Sequence, residues 1–197
     1  MKYLTEYRNL EATKSYLELI EKKVTKPWKI MEICGGQTHG LVRNGILELL
    51  PEKVQMIHGP GCPVCVTPLN LIDKAIELLE NGVIVCSFGD MIRVPGSKKS
   101  LLEAKSNGGD LRILYSPIEA VKIARNNPDK EVIFFGLGFE TTMPSTALTV
   151  LQAEREGVTN FSLFCNHITT VPTIKAVLDS PDMQLDGFLA PGHVAMV

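Results

Sequence analysis

The sequence predicts an α/β fold: parallel sheets flanked by helices, in two Rossmann-like α/β lobes around a cleft. Three observations carry this. Short apolar runs of four to six residues alternate with longer amphipathic runs along the whole chain, the pattern of a parallel sheet with crossover helices. Several of these runs end in a loop rich in Gly, Pro, Cys or His, as at 34–40 and 59–65, where the carboxyl edge of an open α/β sheet places its binding residues. At 197 residues with 45% hydrophobic content, the chain is long enough for one large or two small cores.

The elements follow in order. Leu10, Tyr16, Leu17 and Ile20 recur at helical spacing within 4–23, and Pro27 closes that run. Trp28 to Ile33 reads as a strand, 40–50 as a helix stopped by Pro51, and Val54 to Ile57 as a second strand. Pro68 stands where a first helical turn begins, Leu69, Ile72, Ala75, Ile76 and Leu79 make a buried stripe, and Asn81-Gly82 ends it. Strands are expected at 83–88, 111–115, 131–135, 161–164 and 187–189, with helices at 100–105, 118–126, 144–156 and 171–178 between them. Ser116-Pro117 supplies a cap and a first-turn proline to one of these. The polar stretch Arg125 to Lys130 is the expected boundary, giving a first lobe over 1–127 with both cysteine loops and a second over 128–197. The apolar end Val194 to Val197 leaves the last strand without a following helix, which reads as a truncated second lobe.

The net charge is −2 and no Lys/Arg cluster follows one face, which argues against nucleic acid or an anionic membrane as partner. No apolar run approaches the roughly 20 residues of a membrane span. The first nine residues carry both charge signs and no apolar core of a secretory signal. The expected compartment is the cytoplasm. Five cysteines there are better read as reduced, metal-binding or redox-active than as disulfide staples.

Cys62-Pro63-Val64-Cys65 is a C-x-x-C expected at the mouth of a helix, whose N-terminus favours the thiolate. It suits a redox dithiol. It is also half of a zinc site that would recruit Cys34, His39 or His58, and its bland reading is two cysteines packed in a turn. Cys34 with His39 is a thiolate with a base or co-ligand five residues on, beside Gly35 and Gly36, which permit close backbone approach. The same loop matches neither phosphate-binding glycine motif, so a nucleotide enzyme is the weakest reading. Glu140, with Thr141 and Thr142, offers a carboxylate and two hydroxyls at a strand end; it equally fits an acid capping a helix N-terminus. His167 and His193 each follow a strand, and Cys86 and Cys165 are expected in or near the core.

Taken together, CGGQTHG (34–40), GPGCPVC (59–65), FGD (88–90), RVPGS (93–97), GFETT (138–142) and PGHV (191–194) closely resemble the HypD family, which matures the metal centre of nickel–iron hydrogenases. The resemblance runs from about residue 7 to 197 with the motifs in family order. It implies a scaffold that assembles an iron carrying cyanide and carbon monoxide, an Fe(CN)2CO unit, in complex with HypC, with HypE supplying cyanide. By motif, Cys34 corresponds to the iron-ligating cysteine and His39 to its companion, while Cys62 and Cys65 correspond to a redox-active dithiol. Glu140, Thr141, Thr142 and His193 correspond to the other wall of the cleft. Family members also carry a C-terminal [4Fe–4S] cluster. This sequence ends before that part, and its five cysteines form no ferredoxin-type run, so no cluster is expected in it. Set against the metallocentre scaffold is a free-standing thiol–disulfide oxidoreductase, which needs Cys62 and Cys65 but not Cys34.

Overall fold

A computed structural model describes residues 9–192. In chain order these form α1 (Leu10–Lys23), β1 (Trp28–Glu32), α2 (Gly35–Arg43), α3 (Ile46–Leu49), β2 (Val54–His58), α4 (Leu69–Glu80), β3 (Ile84–Ser87) and α5 (Leu101–Ser106). They continue with β4 (Leu111–Ile113), α6 (Ile118–Asn126), β5 (Val132–Gly138), α7 (Met143–Arg155), β6 (Phe161–His167), α8 (Thr170–Leu178) and β7 (Gly187–Leu189). Short 3₁₀ turns at Met91–Arg93 and Glu140–Thr142 complete the list. Every strand pairing is parallel, in two sheets ordered β2-β1-β7 and β4-β3-β5-β6. The expected α/β class, with parallel sheets and flanking helices, is therefore what the chain adopts.

The chain divides into two compact units. One takes residues up to 61 together with 178–191, the other residues 62–177. The division is not at 127/128. The polar stretch there is a surface loop between α6 and β5, and β5 pairs with β3 and β6 inside the larger sheet. The true division falls within the second cysteine loop, and β7 returns to the first unit to pair with β1. A discontinuous unit of this kind leaves no compositional mark in a linear sequence.

In the larger unit the period-2 alternation of strand side chains builds two cores. Val85, Phe135 and Leu137 face α4 and α5 through Ile72, Ile76, Leu79, Leu101 and Ala104. Ile84, Cys86, Val132 and Phe134 face the other way, onto Ala120 and Ala124 of α6. All four residues of β3 are buried, as a central parallel strand requires. The RVPGS motif is accounted for by this packing. Ser97 donates its N–H and hydroxyl to Asp73 of α4 at 2.7 and 2.5 Å, and a Cβ on Gly96 would fall 2.6 Å from that carboxylate.

The smaller unit is more open. None of the residues of α1, α2 or α3 is fully buried. An apolar groove of about 660 Å³ runs among Tyr16, Ile20, Trp28, Ile30, Met56 and Leu189. Asp186 secures β7 by accepting the Lys29 N–H at 2.8 Å, and that bond together with Lys26 holds its carboxyl below the usual range. No helix of the described residues is long and apolar enough to cross a membrane.

Candidate functional site: two thiol loops and a buried carboxylate

Cys34 stands two residues past the last residue of β1. Its backbone is extended (φ −106°, ψ 135°) and it serves as the N-cap of α2. The helix begins at Gly35, five residues earlier than the sequence pattern indicated, so Gly35 and Gly36 form its first turn rather than a loop. A Cβ on Gly36 would sit at an ordinary 3.7 Å from Cys34 Sγ. The helical run breaks at Gly45, which adopts φ 63°, before α3 resumes it. Gln37 Oε1 accepts the Cys34 N–H at 3.1 Å, and Gln37 Nε2 reaches the Ala190 carbonyl at 3.3 Å. Gln37 thus links the backbone of half-buried Cys34 to the residue that follows β7. His39 lies on the exposed side of α2 and makes no hydrogen bond to Cys34.

Two residues before Cys34 stands Glu32, whose side chain is 0% exposed. Its Oε1 accepts the Thr38 hydroxyl at 3.0 Å and contacts Nδ1 of His58. Its Oε2 is buried without a hydrogen-bond partner. Glu32 and His58 are register partners across β1 and β2. The chain leaves β2 through Gly59, which donates its N–H to the Glu32 carbonyl at 2.9 Å. A Cβ at Gly59 would lie 2.2 Å from that carbonyl oxygen, so only glycine fits here. Sequence reading named His58 only as a possible zinc ligand and passed over Glu32 and Thr38. The signal was present nonetheless: a carboxylate as the last residue of a central parallel strand is out of place unless partnered.

Cys62 and Cys65 lie in the other unit. The expected placement at a helix mouth is corrected: they occupy a turn of their own, closed by Cys65 N–H to Cys62 O at 2.9 Å, and α4 starts only at Leu69. Thr67 braces the turn, donating its hydroxyl to the Pro63 carbonyl at 2.8 Å and accepting from Asn166 Nδ2 at 3.0 Å. Cys62 is half-buried and Cys65 exposed, and both are free thiols. The Cys65 thiol is pushed up, first by loss of hydration, then by the charge and hydrogen bond of Cys62, then by Asp90. The neighbour that penalises a second negative charge is the partner thiol itself, as expected of two sulfurs held close.

The remaining candidates separate. Glu140 caps α8: Oε1 accepts the Thr170 N–H at 2.5 Å and Oε2 the Thr170 hydroxyl at 2.8 Å. Thr142 donates its hydroxyl to the Phe139 carbonyl at 3.0 Å, and Thr141 is exposed. His167 lies between Thr146 Oγ1 at 3.5 Å and Cys165 Sγ at 3.4 Å, and burial lowers its pKa. Cys165 is exposed rather than near the core, because β6 is an edge strand. Cys86 is buried in the core as expected, its thiol pushed up to about 12 chiefly by burial. His193 lies outside the described residues. No group of three or more His, Cys, Asp or Glu able to hold a metal ion occurs among the described residues.

A family model for HypD, described as "Hydrogenase formation hypA family", matches residues 11–197. The chain is 50% identical over 205 residues to the hydrogenase maturation factor HypD of Escherichia coli K12, covering 100% of this chain and 55% of that protein. It is 53% identical over 205 residues to HypD of Rhodobacter capsulatus and 50% over 206 to that of Azotobacter vinelandii, in each case covering 100% of this chain and 54% of the relative. The chain thus spans about half the length of the curated relatives it matches.

Proposed function

The chain belongs to the HypD family of hydrogenase maturation factors, and on that premise we propose that it carries the thiol half of a scaffold for the Fe(CN)2CO unit. The single observation that supports this reading is the setting of Cys34. It is half-buried, just past the carboxyl end of a central parallel strand, with its backbone N–H donating to the Gln37 side chain and its carbonyl accepting the Gln37 N–H. A thiolate at such an edge is a soft donor suited to low-valent iron, which cyanide and carbon monoxide favour. In this reading iron is the cargo, Cys34 holds it, and His39 stands by as orienting or ligating companion. HypC is the partner in whose complex the iron unit is assembled, and HypE the source of cyanide.

Cys62 and Cys65 serve as the electron reservoir. Closing two thiols to a disulfide releases two electrons and two protons, and the braced turn keeps the sulfurs in range without fixing them in a core. The [4Fe–4S] cluster of the longer family members would be the route by which this pair is re-reduced.

The test is infrared spectroscopy of the full-length protein purified anaerobically with HypC. Cys34→Ala is expected to abolish the cyanide and carbon monoxide bands while circular dichroism stays unchanged. Cys62→Ala is expected to leave the HypC contact in place. Unchanged bands in Cys34→Ala end this reading.

A further inference from the structure

We infer that His58 is a second protein donor to the iron held at Cys34, with Glu32 as the residue that positions it; this rests on the scaffold reading above.

Strand geometry carries the placement. Glu32 and Cys34 are two residues apart on extended backbone, so their side chains leave the same face of the sheet, while Ile33 between them is buried on the other. His58 is the register partner of Glu32 and shares that face. With strands about 4.8 Å apart and about 6.6 Å between alternate residues, the Cα atoms of Cys34 and His58 stand ~8 Å apart, a span a thiolate, one metal and an imidazole bridge.

The hydrogen bonding then selects the atom. A carboxylate only accepts, so the contact of Glu32 Oε1 with His58 Nδ1 calls for the proton on Nδ1, and in the neutral imidazole that a metal binds this makes Nε2 the donor atom. The Glu32 side chain is fully buried while that of His58 is 54% exposed, so the ring's bound edge faces inward and Nε2 faces out. Carboxylate, imidazole and outward Nε2 in series are the arrangement by which proteins orient a histidine toward a metal.

Burying Glu32 with Oε2 unpartnered is costly, and an apolar residue would complete β1 more cheaply. Thr38, from the helix that Cys34 caps, donates to the same Oε1, so the thiol loop and the histidine share one anchor. The described residues hold no set of three or more metal-binding side chains. Two protein donors, Cys34 and His58, suit an iron that brings diatomic ligands of its own.

The experiment uses full-length protein with HypC, assembled in cells and purified anaerobically, in four forms: wild type, Cys34→Ala, His58→Ala and Glu32→Gln. Iron content, the position of the carbon monoxide band and the thermal midpoint are measured for each. His58→Ala is expected to shift the band or lower bound iron at least about 10-fold, with recovery when free imidazole is supplied during assembly. Glu32→Gln is expected to weaken iron retention about 10-fold with His58 still present. Full iron with an unmoved band in His58→Ala overturns the inference while leaving Cys34 as ligand. Iron loss that imidazole does not restore, accompanied by a lowered thermal midpoint, also overturns it and makes the pair structural. Bands that survive in Cys34→Ala instead overturn the scaffold reading on which the inference rests.

Discussion

A single residue, Thr170, engages both carboxylate oxygens of Glu140, donating its backbone N–H to one at 2.5 Å and its hydroxyl to the other at 2.8 Å. The acid of the GFETT motif thereby ties the end of β5 to the start of α8, thirty residues on. The arrangement supplies an acceptor for an orphan helix N–H and a negative charge at the positive end of the helix dipole.

Glu140→Ala is expected to destabilise the protein by about 1 kcal/mol, a fall of roughly 2–4 °C in thermal midpoint. Glu140→Gln should lose less, because its amide oxygen still accepts. A variant that keeps full thermal stability yet loses function would show the carboxylate working elsewhere than at the cap.

Gly59→Ala tests the junction behind the thiol loops. The new methyl would meet the Glu32 carbonyl at 2.2 Å, and that oxygen is backbone within a paired strand. Destabilisation of about 1–3 kcal/mol is expected in urea titration. Gly40→Ala, inside α2 where a Cβ meets nothing within 4 Å, is the control and should stabilise by up to about 1 kcal/mol, as alanine does in place of glycine within a helix.

Cysteine reactivity should rank by environment. Cys86, buried with its thiol at about 12, should resist alkylation in the native state at pH 8 and label only on unfolding. Cys65 is exposed but raised, so its alkylation should keep climbing with pH beyond the ordinary thiol range. Removing the neighbour in Cys62→Ala should move that profile to lower pH, since Cys62 raises Cys65 by both charge and hydrogen bond. Mass spectrometry of peptides labelled across pH reads all three.

His167 makes stability depend on pH with a defined sign. Burial lowers its pKa in the folded state, so below its ordinary value the unfolded chain binds the extra proton and the folded chain does not. Its contribution is therefore complete above about pH 6.5 and lost as the pH falls through that value. Wild type should lose stability between pH 7 and 5 more steeply than His167→Gln, measured by denaturant midpoints at each pH. Parallel curves would show that His167 stays hydrated.

Much of this protein was legible along the chain. Every expected strand is present, because a buried parallel strand must be apolar and its flanking helix amphipathic, and both periods survive in sequence. The residue types at the strand ends marked the thiol loops, and their motifs marked the family. Tertiary structure decided the rest. The return of β7 to the first sheet set where the units divide, a long-range pairing that no local signal encodes. The position of β6 at an edge exposed Cys165 despite its apolar neighbours. The parallel register of β1 and β2 brought Glu32 to His58, two residues 26 positions apart whose pairing turns an anomalous buried acid into an oriented imidazole. Periodicity records which face a side chain takes; only the packed sheet determines what it meets there.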